Sequence, residues 1–316
     1  MAEFDLLVLG DCNPDLVVRG GDVTPAFGQV ERLVDEAVLT IGGSGAIAAC
    51  GAAQLGLRTA FVGVVGDDVF GRFMLDALSE RGVDVRRCPV DPNRPTGITI
   101  VLSRGDDRAI LTAPGTIADL RGGLVDPELL ASARHLHVSS YFLQAGLRKD
   151  LQQLLGEARE AGATTSADPG WDPSEEWDSG LLKLLPLVDV FLPNSAEARL
   201  MTGLDDIDIA CEALAEAGPL VAAKFGAGGG MAVHGDEVFR APALTVDVID
   251  TTGAGDTFDA GFLAGHLAGW PVERSLALAT VCGSLSTRAA GGTGAQPTMD
   301  EATAAMGSLA GRVMPP

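Results

Sequence analysis

The chain has 316 residues, 47% of them hydrophobic, and a formal net charge of −21. That is enough apolar chain for one large α/β domain with a sizeable core, and it excludes an intrinsically disordered protein. Three lysines (Lys149, Lys183, Lys224) and no basic stripe leave no electrostatic footprint for nucleic acid as a partner.

The first residues, Met1-Ala2-Glu3-Phe4-Asp5, are acidic and lead straight into an apolar strand at 6–10, which speaks against a secretory signal. That strand delivers Gly10-Asp11-Cys12-Asn13-Pro14-Asp15. Asn13 and Asp15 just past its end suit recognition of hydroxyls, or an Asx-type turn. Residues 16–39 alternate like strands with no helix following. Ile41-Gly42-Gly43-Ser44-Gly45-Ala46-Ile47 then opens a helix over 45–55. Its paired glycines allow close backbone approach to a ligand, or simply cap and pack the helix.

A strand over 59–65 and a helix over 71–82 come next. Residues 95–113 form a second segment without helices, two alternating runs flanking the polar turn Gly105-Asp106-Asp107. Strands at 135–139, 164–167, 188–192 and 220–225 alternate with helices at 147–161, 196–202, 210–218 and 260–268, the last lying within an apolar stretch that looks helical from 258. The alternation predicts a doubly wound, mostly parallel sheet with helices on both faces. The segments 16–39 and 95–113 are expected to form a small inserted β lid over a single domain spanning 1–316.

The densest segment is Asp250-Thr251-Thr252-Gly253-Ala254-Gly255-Asp256-Thr257-Phe258. Gly253, Ala254 and Gly255 before a helix can aim backbone N–H groups at an anion. A carboxylate at 256 would repel that anion, but it makes sense as the group that takes a proton from a hydroxyl attacking phosphorus. Helix capping alone would explain the same residue types. Lys224 closes an apolar strand, which is costly without an anion or carboxylate nearby.

Other constellations fail. No GxxxxGK[ST] run exists, and 226–231 lacks a full dinucleotide fingerprint. His135 and His137 are expected as core or strand-edge histidines rather than zinc ligands. Trp171 and Trp177 are expected to pack a loop, with Asp168 a further candidate to face a substrate. The five cysteines are odd in number, scattered and without CxxC, as buried free thiols of a cytoplasmic protein would be. No apolar stretch reaches membrane-spanning length.

Taken together, the 250–263 run, Gly42-Gly43 with the helix after it, Gly63 to Gly71, Arg81-Gly82-Val83-Asp84 and Asn194-Ser195-Ala196-Glu197 occur in an order that resembles the ribokinase-like (PfkB) carbohydrate kinases. The resemblance spans residues 5 to about 300 and implies that family's α/β core and β lid. It implies phosphoryl transfer from ATP to a hydroxyl, a primary alcohol of a sugar or sugar-like polyol. It further implies Asp256 as general base and the backbone of Gly253, Ala254 and Gly255 as anion hole. Asn13, Asp15, Gly42, Gly43 and Ile47 fall at substrate positions. Asn194, Lys224, Gly226 and Gly229 fall at nucleotide positions. Glu197 would act on Mg2+ through water, and Asp250, Thr252, Gly294 and Thr298 lie where several members hold K+.

Two departures matter. Ile47 stands where many of these sugar kinases carry asparagine, and Ser44 where ribokinases often carry lysine. Both point away from D-ribose, toward an acceptor with fewer hydroxyls at that edge or with an apolar or planar part. A nucleoside kinase is therefore the alternative, with Phe27 or Tyr141 stacking on a base. A non-catalytic sugar- or nucleotide-binding regulator is the alternative from another class. The open strand edges of the lid make a homodimer through it expected.

Overall fold

The computed structural model describes residues 2–104, 107–177 and 180–310, and its strands form three sheets. In chain order the strands are β1 (Leu6–Leu9), β2 (Asn13–Arg19), β3 (Glu36–Gly42), β4 (Thr59–Val62), β5 (Val65–Gly66), β6 (Val90–Asp91), β7 (Ile98–Arg104), β8 (Asp107–Ala113), β9 (His135–Val138), β10 (Thr164–Ala167), β11 (Val190–Phe191), β12 (Leu220–Lys224), β13 (Gly230–His234) and β14 (Glu237–Ala241). The helices are α1 (Ser44–Gln54), α2 (Val69–Glu80), α3 (Pro127–Ala131), α4 (Leu151–Glu160), α5 (Leu181–Leu184), α6 (Ser195–Thr202), α7 (Ile207–Ala215), α8 (Ala254–Leu267), α9 (Val272–Ser286) and α10 (Met299–Ala310).

The central sheet has eight strands in the order β14-β13-β12-β11-β10-β9-β1-β4. Every pairing from β12 to β4 is parallel. β13 and β14 add an antiparallel edge. In β1 all four residues are buried, and they point alternately. Leu7 and Leu9 enter one apolar cluster, Leu6 and Val8 the other. Ala60 and Val62 of β4 likewise oppose Phe61. Continuous apolar strands are what a sheet covered on both faces requires.

Helices α3 to α7 cover the first face, with Leu151, Leu154, Leu155 and Ala158 of α4 at helical spacing. Helices α1, α2, α8, α9 and α10 cover the second. Among the described residues no helix is long and apolar enough to cross a membrane.

Several elements differ from expectation. Helix α8 begins at Ala254, four residues before the apolar stretch that announced it, so Asp256 lies inside its first turn. Helices α9 and α10 and the β13–β14 hairpin were not foreseen. The residues of α9 are buried almost all round, between α8 and the sheet edge, which erases the one-sided stripe that marks a surface helix.

The lid is a separate four-stranded sheet, β3-β2-β7-β8, with β2 and β7 parallel and both outer pairs antiparallel. It starts at Asn13 and runs through Gly42, so Asn13 and Asp15 are lid-strand residues rather than a loop after β1. Gly105 and Asp106 of the expected turn lie outside the described residues. Register places Thr40, Asp15, Thr99 and Thr112 side by side across all four strands, a polar row on one face. Two residues along, Val38, Val17, Val101 and Ile110 form an apolar row on that face.

Candidate active site

The carboxyl ends of the parallel strands deliver the chemistry-bearing residues, as expected for an open α/β sheet. Asp11 follows β1, Asp168 follows β10, Asn194 follows β11, and Lys224 ends β12. Two helix N-termini, those of α1 and α8, face each other above them. β1 and α1 approach so closely that a Cβ on Gly10 would lie 2.9 Å from Cα of Gly45. Glycine is needed on both sides of that contact.

Asp11 locks the start of α1. Its buried carboxylate accepts from the N–H of Ser44 at 3.0 Å and of Gly45 at 2.9 Å. Burial raises its pKa, and these two bonds only partly offset that. The Ser44 side chain lies close enough to the Asp256 carboxyl to favour its charged form, so the two glycine-rich segments meet here. Asp11 was not singled out from the sequence. Its signal, an acid immediately after a buried strand and opposite a glycine-rich helix start, is indistinguishable from a turn residue without the fold.

At the start of α8, Gly253 adopts φ 72°, and a Cβ there would meet Cα and O of Gly292 at 2.6 and 2.7 Å. The Ala254 N–H closes the turn onto Thr251 O at 3.3 Å. Among the described residues the N–H groups of Gly253, Gly255 and Asp256 meet no acceptor. Of the expected Gly253-Ala254-Gly255 set, Gly253 and Gly255 keep free donors, Ala254 does not, and Asp256 adds one. Orphan N–H groups at a helix start fit a phosphate.

Asp256 keeps part of its surface open, yet desolvation pushes its pKa well up. Asp168 and Asp11 add to that rise, while Lys224 and the Ser44 hydroxyl oppose it. Asp250 is held the other way. Its Oδ1 accepts from Thr252 N and Oγ1 at 2.9 and 2.7 Å, and its Oδ2 from Gly291 N at 2.8 Å. Desolvation acts against these bonds but loses, and the pKa falls. From the lid, Arg108 reaches across to donate to Thr252 Oγ1 at 3.0 Å.

The lid residues Asn13 and Asp15 are buried over this floor. Asn13 Nδ2 donates to Thr99 Oγ1 at 3.2 Å, which lies 3.2 Å from Thr112 Oγ1. The Asp15 carboxyl rests on Gly42, where no side chain would fit. Burial, with Asp11 and Asp250 nearby, pushes its pKa up to about 7, against the pull of Arg108. Gly43, at φ 80°, is the N-cap of α1.

Other expected site residues sit differently. The side chain of Ile47 is buried and packs under Gly253 and Gly292, supporting the α8 turn rather than lining an acceptor pocket. Lys224 is held by carboxylates within the protein. Its Nζ donates to Asp168 Oδ2 at 2.6 Å and to both carboxylate oxygens of Asp259 at 3.0 and 2.9 Å. Gly226 and Gly229 form the tight turn between β12 and β13, and a Cβ on Gly229 would strike the backbone at Ala241.

Asn194 and Glu197 form a capping box on α6. Asn194 Oδ1 accepts from Ala196 N and Glu197 N, and Glu197 Oε2 accepts from Asn194 N at 2.7 Å. Burial, then the Asp168 charge, pushes Glu197 up to about 7. Among the described residues no three His, Cys, Asp or Glu side chains converge as a metal-binding group. Thr298 bonds Glu301 through both its N–H and its hydroxyl, at the start of α10.

The two aromatics proposed to stack on a base sit in opposite environments. Phe27 is 97% exposed, and Tyr141 is buried in the core, edge-on to Phe142 at 5.5 Å. His135 and His137 are core residues hydrogen-bonded to Thr164 and Ser166. All five cysteines are free thiols, as expected.

The model for the pfkB family carbohydrate kinases matches residues 4–299. A fructokinase of Klebsiella pneumoniae is 35% identical over 278 residues, covering 82% of this chain and 90% of that protein. A 2-dehydro-3-deoxygluconokinase of Bacillus subtilis is 32% identical, covering 80% and 82%. The fold is shared with an E. coli protein described as a ribokinase II, solved with ATP and Mg2+, at TM-score 0.86 and 22% identity over 96% of this chain and 99% of that one. With the family model spanning nearly the whole fold and its site, the chain belongs to the pfkB family of carbohydrate kinases and is an ATP-dependent carbohydrate kinase.

Proposed function

We propose that the whole chain acts as one kinase domain with a lid, and that it phosphorylates a hydroxyl, a primary alcohol, of a sugar or sugar-like polyol. The observation that carries this reading is the pairing at one helix start of orphan N–H donors with a carboxyl of raised pKa. Asp256 takes the proton from the attacking hydroxyl, and the N–H groups of Gly253 and Gly255 hold the oxygens of the transferred phosphoryl as its charge redistributes. When bound, Mg2+ neutralises phosphate charge, and Glu197 is placed to act on it only through water. A monovalent cation would be held beside Asp250 and the 291–294 turn, without Thr298.

Asn13 and Asp15, with Thr40, Thr99 and Thr112 in the same row, present both donors and acceptors, which suits an acceptor carrying several hydroxyls. The burial of Tyr141 in the core favours this over a nucleoside. Purified protein with MgATP and a panel of sugars, sugar acids, polyols and nucleosides should release ADP with a polyol-type acceptor. Because Asp15 ionises near pH 7, the acceptor KM should fall as pH rises through 7, and Asp15→Asn should raise KM and flatten that dependence. ADP release with nucleosides alone would transfer the assignment to them.

The homodimer is proposed through the opposite face of the lid, where Leu16, Val18, Ile100, Leu102 and Leu111 alternate with the polar and apolar rows above and keep part of their surface open. Sedimentation velocity should give twice the chain mass, and charged substitution at Ile100 should return it to the chain mass.

A further inference from the structure

Lys224 sits in a buried cluster that the proposed reaction does not itself use. Its side chain is 10% exposed, and those of Asp168 and Asp259 are 6% and 1% exposed. The three come from β12, the end of β10 and the middle of α8. Asp259 lies three residues beyond Asp256, on the same side of α8 and one turn deeper. The Lys224 Nζ lies 3.9 Å from where a Cβ on Gly255 would stand, so the ammonium is seated against the backbone that carries a free N–H donor.

We propose that Lys224, held by Asp168 and Asp259, is a positioning residue that fixes the first turn of α8 and sets the ionisation of Asp256. This rests on Asp256 being the base. Three features of the geometry support it. The ammonium donates to three carboxylate oxygens, one of Asp168 and both of Asp259. The contact ties the ends of two strands to α8 below its N-terminus. The carboxylates outnumber the cation, so their pairing with Lys224 decides how much negative charge Asp256 meets.

The charged and polar groups facing Asp256 are Asp11 after β1, Ser44 on α1, Asp168 after β10, Lys224 on β12 and Asp259 on α8. Glu197 on α6 acts on the cluster through Asp168 and Lys224. Desolvation opposes the charge on Lys224, but Asp168, Asp259 and Glu197 outweigh it and keep the ammonium protonated. Removing one carboxylate while leaving Lys224 must make Asp256 easier to ionise. Removing Lys224 as well must reverse that.

The test is the pH dependence of kcat/KM for the acceptor at saturating MgATP, in the parent enzyme, Asp259→Asn, and the double variant Lys224→Met/Asp259→Asn. The MgATP titration is common to all three and cancels in the comparison. Asp259→Asn should move the acid limb down by about one pH unit. KM for ATP should stay unchanged, and the double variant should return the limb toward the parent. Asp168→Asn, at the other carboxylate, should move the limb in the same direction and serves if Asp259→Asn does not fold.

An acid limb unmoved in the single variants, with only the melting temperature changed, would overturn the proposal in favour of a structural ion pair. A large rise in KM for ATP with the limb unmoved would overturn it in favour of a nucleotide contact. If Asp256→Asn retains full turnover, the base assignment fails first. If Asp256→Asn is inactive and the limbs coincide, only the present inference fails.

Discussion

Asp256→Asn is expected to lower kcat by about 10²–10⁴-fold while ATP still binds, the range that loss of a general base produces. The amide is isosteric, and the phosphate donors are backbone N–H groups untouched by the change. Turnover by coupled ADP release and nucleotide affinity by titration calorimetry separate the two effects. The same substitution should raise the melting temperature at neutral pH. A carboxyl whose folded pKa is raised penalises the folded state increasingly as pH climbs from its unfolded value to its folded one, and asparagine removes that penalty. Full activity in the variant would sink the base assignment.

The second large effect is expected at Gly253. At φ 72°, alanine is strained, and its Cβ would press on Cα and O of Gly292 and on Cγ2 of Ile47. Two of those three atoms are backbone and cannot step aside. Gly253→Ala should cost about 1–3 kcal/mol of stability from the conformation alone. It should also cost about 10²–10³-fold in kcat as the donors at the head of α8 are displaced. Gly255→Ala is the control. Its Cβ would make only ordinary van der Waals contact with the Lys224 side chain, at 3.6 Å, in a helical conformation alanine accepts. It should keep activity within about tenfold of the parent, because no oxyanion donor is lost. Equal loss in both variants would point away from a specific turn and toward general intolerance of bulk.

What could be read from the residues follows from how local each signal is. The parallel strands announced themselves as short apolar runs because both faces of β1, β4 and β12 are buried. The 250–258 run stood out because Gly253 and Asp256 lie within one turn of one helix. Helix α9 was not, since its burial on all sides hides its period, and the β13–β14 edge was masked by the glycines before it. The lid was foreseen, but its reach to Asn13 and Gly42 was not, because only three residues separate β1 from β2.

Lys224 shows the limit most clearly. Its place at the end of an apolar strand required a negative partner, and that inference holds. Which partner was undecidable, since Asp168 and Asp259 lie 56 and 35 residues away in sequence. Ile47 failed for a similar reason. Its position was readable, but the direction of its side chain, under Gly253 and Gly292, depends on where the distant loop returns.

The most direct measurement is a crystal structure with a non-hydrolysable ATP analogue and the acceptor found by the substrate panel. It should place one acceptor hydroxyl within about 3 Å of the Asp256 carboxyl, in line with the terminal phosphorus. Phosphate oxygens should lie on the N–H groups at the head of α8, with the remaining hydroxyls on Asn13 and Asp15. An acceptor bound away from Asp256, or phosphates seated elsewhere than at Gly253 and Gly255, would contradict the account.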